Sequence, residues 1–100
     1  MCNREEELSN IVKKVFQSGR LILGNSVETF EKNFSNWVGS KYGTGVGNGT
    51  DAIKLALLAL GIGKGDEVIT VSNTAVPTVS AILETGATPV FCDVNLDDYN

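Results

Sequence analysis

The chain has 100 residues, of which 42% are hydrophobic and 20% charged, a composition typical of one small soluble domain. Its net charge of −4, from 8 basic and 12 acidic residues, argues against a general nucleic-acid-binding surface, and the lack of histidine excludes serine–histidine and cysteine–histidine nucleophiles and histidine zinc sites. The longest apolar run, residues 55–60, is far shorter than the ~20 residues that span a bilayer, and residues 1–7 do not resemble a secretory signal, so no membrane partner is expected.

The first 40 residues predict two amphipathic helices. Apolar side chains recur at helical spacing over residues 4–18 and again over residues 26–38. Asn25 or Ser26 is expected to cap the second helix, and Gly39 is expected to end it. The pattern therefore predicts an N-terminal helical arm.

From residue 42 onwards the pattern changes to alternating short strands and helices. Five elements are predicted: a strand at 42–46, a helix at 51–60, a strand at 67–71, a helix from Pro77 to Gly86 and a strand at 88–94. Alternation with short connections is typical of parallel strands with right-handed crossovers. The fold class is therefore α/β, with a boundary near Ser40 that makes 1–41 the helical arm and 42–100 a βαβαβ unit.

Three strands, two crossover helices and the arm are too few to cover both faces of an all-parallel sheet. We therefore expect this chain to be the opening piece of a longer polypeptide, or to complete itself by association. The helix at 51–60 is apolar nearly all round, which predicts that it lies buried between two layers.

The glycine-rich stretch before that helix is the best candidate for a binding site. A strand-to-helix junction points several backbone N–H groups and the positive end of the helix at one spot, which suits phosphate. Gly47 and Gly49 allow close approach of a ligand, and Thr50 adds a hydroxyl donor. The alternative is a tight turn without a ligand, in which Asn48 or Thr50 caps the helix. In the phosphate interpretation, Asp51 must face away from the anion, or only its amide takes part.

Two familiar phosphate motifs fit this stretch poorly. In the dinucleotide fingerprint G-x-G-x-x-G, Gly45 and Gly47 match but Thr50 replaces the third glycine, and no acidic residue ends the next strand. A Walker loop requires Gly-Lys-Ser/Thr, which residues 49–51 do not supply.

Three consecutive blocks of the sequence, residues 47–57, 60–70 and 86–93, resemble the DegT/DnrJ/EryC1/StrS family in order and spacing. Residues 24–31 and Phe34 resemble the family's N-terminal segment. The family consists of nucleotide-sugar aminotransferases that depend on pyridoxal 5'-phosphate and have the aspartate-aminotransferase fold. The resemblance implies that the βαβαβ unit is the incomplete beginning of the large, cofactor-binding domain of that fold.

The resemblance also implies cofactor-binding residues. By position, Asn48, Gly49 and Thr50 match the turn that binds the cofactor phosphate through backbone amides and the threonine hydroxyl. Ala75 matches a position where the family often places an aromatic side chain over the pyridine ring. The lysine that carries the cofactor is expected outside these 100 residues, and Lys54 is interpreted as a surface lysine, so the isolated chain is expected to be inactive.

The implied reaction moves an amino group from an amino acid, typically glutamate, to a nucleotide-linked keto sugar, in a cytoplasmic homodimer with no nucleic-acid partner. Cys2 and Cys92 are interpreted as plain thiols in a reducing compartment. Three alternatives stay open: a related dehydratase, a non-catalytic phosphate- or partner-binding module of the same ancestry, and a small dinucleotide-binding domain.

Overall fold

The computed structural model describes residues 4–99. The elements of this part of the chain are α1 (Arg4–Ser18), α2 (Asn25–Val38), α3 (Gly49–Ala59), β1 (Glu67–Val71), α4 (Val76–Glu84) and β2 (Thr88–Cys92). They form two compact units, one ending at Gly45 and the other beginning at Val46. None of the helices in this part of the chain combines the length and the apolarity needed to cross a membrane.

The first unit contains the two predicted helices, and their glycines define the helix ends. Helix α1 has the predicted bounds. Helix α2 ends at Gly39, whose positive φ of 74° lets its N–H donate to Asn36 O. The predicted capping by Asn25 or Ser26 is wrong, because Gly24 is the N-cap and no side chain caps this helix. Gly24 is buried, and a Cβ there would lie 3.2 Å from Arg20 O, so a polar capping residue at this position would require a small shift of the backbone at Arg20.

The predicted strand at 42–46 is not formed. Its backbone lies against α2 instead: Gly45 N–H donates to Glu31 Oε1 at 2.7 Å. A Cβ at Gly43 would lie 3.2 Å from Glu31 O and 3.3 Å from Ser35 Cβ, so glycine permits this close approach. A strand needs a neighbouring strand to satisfy its backbone, and here a helix side chain accepts the hydrogen bond. Over the described residues, helix–strand–helix–strand therefore replaces the predicted βαβαβ order.

The second unit contains a two-stranded parallel sheet, which confirms the predicted strand direction. The register pairs Glu67 with Thr88 at one end and Val71 with Cys92 at the other. Strand β1 has its predicted bounds, whereas β2 ends at Cys92, two residues earlier than predicted. Helix α4 provides the crossover between the strands, with Pro77 in its first turn, where a missing N–H costs nothing.

The buried hydrophobic side chains lie in the second unit. Ala81 and Ile82 of α4 and Ala87 before β2 are 0%, 1% and 3% exposed. Helix α4 packs on β2 on one side and on α3 on the other. The prediction that α3 is buried between two layers is wrong for this structure: within residues 4–99 its main packing partner is α4, and Leu55 and Leu58 remain about half exposed (50% and 47%).

Candidate functional site

Helix α3 begins with a reciprocal pair of side-chain bonds. Asn48 is the N-cap in an extended conformation, and its Oδ1 accepts from the N–H of Asp51 at 2.9 Å. Asn48 Nδ2 in turn donates to Asp51 Oδ2 at 2.9 Å. Asn48 O accepts from Ala52 N–H at 3.2 Å. Asn48 therefore caps the helix, as the ligand-free interpretation required, and this capping extends α3 two residues upstream of the predicted start.

The capping leaves three donors without a protein partner. Within residues 4–99, no acceptor contacts the N–H of Gly49, the N–H of Thr50 or the Thr50 hydroxyl. A Cβ built at Gly49 would meet nothing within 4 Å, so the space beside it is open. Two backbone amides at the positive end of a helix and an adjacent hydroxyl form a donor set that suits a phosphate dianion. The residues present therefore fit a phosphate group at this turn.

Asp51 is bonded to the helix cap through both its amide and its carboxylate. Its carboxylate is bonded to Asn48, and its Oδ2 lies 3.4 Å from where a Cβ of Gly47 would be. Its amide is occupied by Asn48 Oδ1, so the second arrangement predicted for Asp51, in which only its amide takes part, is not present in this conformation. The sequence analysis missed this pairing, although an asparagine followed three residues later by an acidic residue is the spacing of a capping box.

Ala75 lies at a second helix start. It is the N-cap of α4, four residues after the end of β1, and its carbonyl accepts from Thr78 N–H at 3.0 Å. Its side chain is exposed and makes no capping bond. The hydroxyls of Thr74 and Thr78, which precede and follow it in the sequence, lie 3.1 Å from each other. Ala75 thus follows the carboxyl end of a parallel strand, the edge at which α/β folds bind ligands.

Helices α3 and α4 both end at the opposite edge of the sheet, where the strands begin. A Cβ on Gly63, which follows α3, would lie 3.3 Å from the carbonyl of Thr85, which follows α4. Thr88 N–H donates to Asp66 O at 2.9 Å, so both strands begin at that edge. Because the two helices pack together and end together, their starts at Asn48 and Ala75 lie away from this edge.

Lys54 is engaged in an ion pair. Its Nζ lies 2.7 Å from Glu84 Oε2, with the two side chains 34% and 50% exposed. The hydrogen bond that Lys54 donates to Glu84, together with the negative charge of that carboxylate, raises the pKa of Lys54 above the ordinary value of 10.5. The amine is held protonated, which does not suit a covalent nucleophile and agrees with the surface-lysine interpretation.

The cysteines and acidic residues add no further site within the described chain. Cys92 is a free, exposed thiol, and Cys2 lies outside the described residues. Among residues 4–99, no group of three histidine, cysteine, aspartate or glutamate side chains could hold a metal ion.

Comparison with known proteins identifies the family. The model of the DegT/DnrJ/EryC1/StrS aminotransferase family matches residues 2–100. The chain belongs to this family. The resemblance to this family that three blocks of the sequence indicated is therefore confirmed.

Individual relatives agree in sequence and in structure. A transaminase of Micromonospora megalomicea subsp. nigra, named for dTDP-3-amino-3,4,6-trideoxy-alpha-D-glucose, is 56% identical over 93 residues, or 93% of this chain and 25% of the relative. The Aneurinibacillus thermoaerophilus dTDP-3-amino-3,6-dideoxy-alpha-D-galactopyranose transaminase is 43% identical over 96% of this chain and 26% of its own. The solved structure of NtdA from Bacillus subtilis with the bound cofactor PMP has a TM-score of 0.89 and 36% identity, covering 95% of this chain and 22% of that protein. The chain thus spans about a quarter of the length of these relatives.

Proposed function

We propose that the whole protein is a pyridoxal-phosphate-dependent aminotransferase acting on a nucleotide-linked keto sugar, with an amino acid such as glutamate as donor. The names of the two curated relatives, both dTDP-sugar transaminases, support the substrate class. The PMP bound in the Bacillus subtilis structure supports the cofactor, because PMP is its amine form. The chain described here contributes the helical arm (1–41) and the beginning of the large domain (42–100).

The observation that carries this proposal is the set of three free donors at the start of α3. Gly49 and Thr50 would bind the cofactor phosphate through their N–H groups and the threonine hydroxyl, and Asn48 would keep the turn folded through its bonds to Asp51. The helix dipole adds a favourable field for the dianion. The bound cofactor supplies an electron-withdrawing ring that stabilises negative charge on the reacting carbon.

Ala75 is proposed to lie beside the cofactor ring. A methyl group packs on a ring with less area than an aromatic side chain, so ring contacts here depend more on neighbouring groups. Three wider features belong to the same proposal: residues 42–46 gain a neighbouring strand in the whole protein, the lysine that carries the cofactor lies beyond residue 100, and the active unit is a cytoplasmic homodimer. The isolated chain is proposed to be catalytically inactive.

The test uses the whole protein and a variant that fills the open space beside the turn. We expect Gly49→Leu to weaken retention of pyridoxal phosphate at least about tenfold, because it shields donors whose hydrogen bonds to a charged group are worth about 1.5–3 kcal/mol each. The helix itself should tolerate the change, since φ at Gly49 is not positive and nothing lies within 4 Å of its Cβ. Absorbance of the bound cofactor measures retention.

Ala59→Leu is the matched control, because it adds the same side chain at an exposed position in the last turn of the same helix. Amino transfer is measured as 2-oxoglutarate formed from glutamate in the presence of a dTDP-linked keto sugar. Undiminished cofactor retention by Gly49→Leu would contradict the phosphate site. Cofactor binding by the wild type without amino transfer would favour a non-catalytic module, and tight NAD binding in its place would favour the dinucleotide-binding alternative.

A further inference from the structure

Glu31 forms an unusual contact between a helix side chain and the backbone that precedes the phosphate-binding turn. It lies near the middle of α2 and is half-buried. Its Oε1 accepts a hydrogen bond from Gly45 N–H at 2.7 Å, across 14 positions of sequence. A bond between a carboxylate and a backbone amide is stronger than a neutral one.

The backbone around Gly45 lies directly on α2. A Cβ at Gly45 would be 3.4 Å from both Glu31 Oε1 and Val27 Cγ1. At Gly43 the corresponding distances are 3.2 Å to Glu31 O and 3.3 Å to Cβ of Ser35, a residue only 6% exposed. Gly43 and Gly45 place no side chain between themselves and the helix, and the Glu31 carboxylate bonds to main chain and not to a mobile side-chain tip.

Gly45 is only three residues before Asn48, the cap of α3. The intervening turn is held at its downstream end by the bonds between Asn48 and Asp51, and at its upstream end by Glu31. Each set of bonds restricts the backbone on its own side of the turn, and a backbone restricted before a ligand arrives loses less conformational freedom on binding, which increases affinity.

We propose that Glu31 is a positioning residue for the phosphate-binding turn: it holds the backbone at Gly45 so that the free donors of Gly49 and Thr50 are already ordered when phosphate arrives. The inference rests on the proposed function, because phosphate is the ligand that function requires. It assigns a role to a residue that lies outside the turn, on α2.

The test compares a ligand with the phosphate and a ligand without it, using the whole protein. Glu31→Ala should weaken binding of pyridoxal phosphate about tenfold, because the backbone freed at Gly45 must then be ordered on binding, and fixing one residue carries an entropic cost of about that size. It should change binding of pyridoxal, which lacks the phosphate, by less than twofold. Glu31→Gln keeps an oxygen acceptor at the same place and should restore most of the affinity. Glu28→Ala, an exposed carboxylate one turn earlier on α2, is the matched control and should behave as the wild type.

A second measurement does not depend on the cofactor. Without ligand, amide hydrogen exchange in Glu31→Ala should accelerate at Gly45, Asp51 and Ala52, the three amides whose acceptors hold the turn, and should not do so in Glu28→Ala. Equal loss of pyridoxal and pyridoxal phosphate binding would overturn the proposal, because it indicates general destabilisation. Unchanged exchange in Glu31→Ala would overturn it as well. A wild type that binds no pyridoxal phosphate would contradict the proposed function alone, and the exchange measurement would still decide the role of Glu31.

Discussion

The contacts inside the first unit of the chain differ in kind from those inside the second. In the second unit, a helix places Ile82 and Ala81 against a parallel sheet, and these side chains are almost completely removed from water. In the first unit, the buried positions from residue 4 onwards are Gly24 and Ser35, and the aromatic side chains of α2 remain on the surface. The comparison teaches that apolar burial stabilises the second unit, whereas close backbone approach and polar bonds define the first.

The aromatic row of α2 illustrates the contrast. Phe30, Phe34 and Trp37 are 58%, 49% and 80% exposed, and consecutive rings lie 5.7 Å apart. They contact one another along one helix and not a core. The two cases therefore differ in energy: replacing Ile82 in α4 opens a cavity, while replacing one of these aromatic side chains in α2 mainly removes exposed surface.

The largest expected effect tests this contrast directly. Ile82→Ala should lower the free energy of unfolding of the 100-residue chain by about 2–5 kcal/mol, because it removes a fully buried side chain and leaves a cavity. Urea denaturation measures the change. Trp37→Ala is the control from the first unit. It removes a larger side chain, but because that side chain is exposed, the free energy of unfolding should fall much less. A larger loss for Trp37→Ala than for Ile82→Ala would reverse the comparison.

A glycine-to-alanine substitution should lower stability in the first unit but not in the second. Gly43→Ala should destabilise the first unit by about 1–3 kcal/mol, because the new Cβ meets Glu31 O and Ser35 Cβ at 3.2–3.3 Å. Gly49→Ala should be neutral or stabilise by up to about 1 kcal/mol, since alanine favours the helix and the space is open. Denaturation midpoints of the two variants provide the measurement. Equal effects would show that the contact of residues 43–45 with α2 is not tight.

Local sequence pattern predicted most helices and strands but not the contacts around residues 42–46. Helix α1 and strand β1 have their predicted bounds, because hydrophobic spacing and β-branched side chains are local properties. The strand predicted at 42–46 is not formed in this structure because a strand requires a lateral partner, and local propensity says nothing about whether one is within reach. The bond from Gly45 to Glu31 spans 14 positions and leaves no periodic pattern in the sequence.

The same limit applies to the candidate site. The donor-rich turn could be predicted from its glycines and its place before a helix, and the structure leaves the Gly49 and Thr50 donors free. The direction of the Asp51 carboxylate could not be decided from residue types, because it depends on which way the Asn48 side chain turns. The roles of Asn48, Gly49, Thr50 and Ala75 toward the cofactor stay predictions.

Asn48→Ala tests whether polar bonds also matter in the second unit. We expect a loss of about 1 kcal/mol in the free energy of unfolding, the usual cost of removing a side-chain cap. The amide of Asp51 should exchange faster with solvent, because it loses its acceptor. Thr50→Ala is the control for stability, since the Thr50 hydroxyl makes no bond within residues 4–99. A stability loss as large as that of Ile82→Ala would mean that the cap, and not the buried core, dominates this unit.

The smallest effect is expected at the ion pair between α3 and α4. Lys54 and Glu84 are substantially exposed, so water and salt screen their attraction, and Lys54→Ala should change stability only slightly at pH 7. The pKa of Lys54 is raised, chiefly by its hydrogen bond to Glu84, which means that folding favours the protonated amine. The contribution is therefore fully present below the ordinary pKa of 10.5 and lost as the pH rises through the higher value of the folded state. The difference in denaturation midpoint between wild type and Lys54→Ala should shrink above that pH and in concentrated salt; a difference that grew with pH would contradict the ion pair as its source.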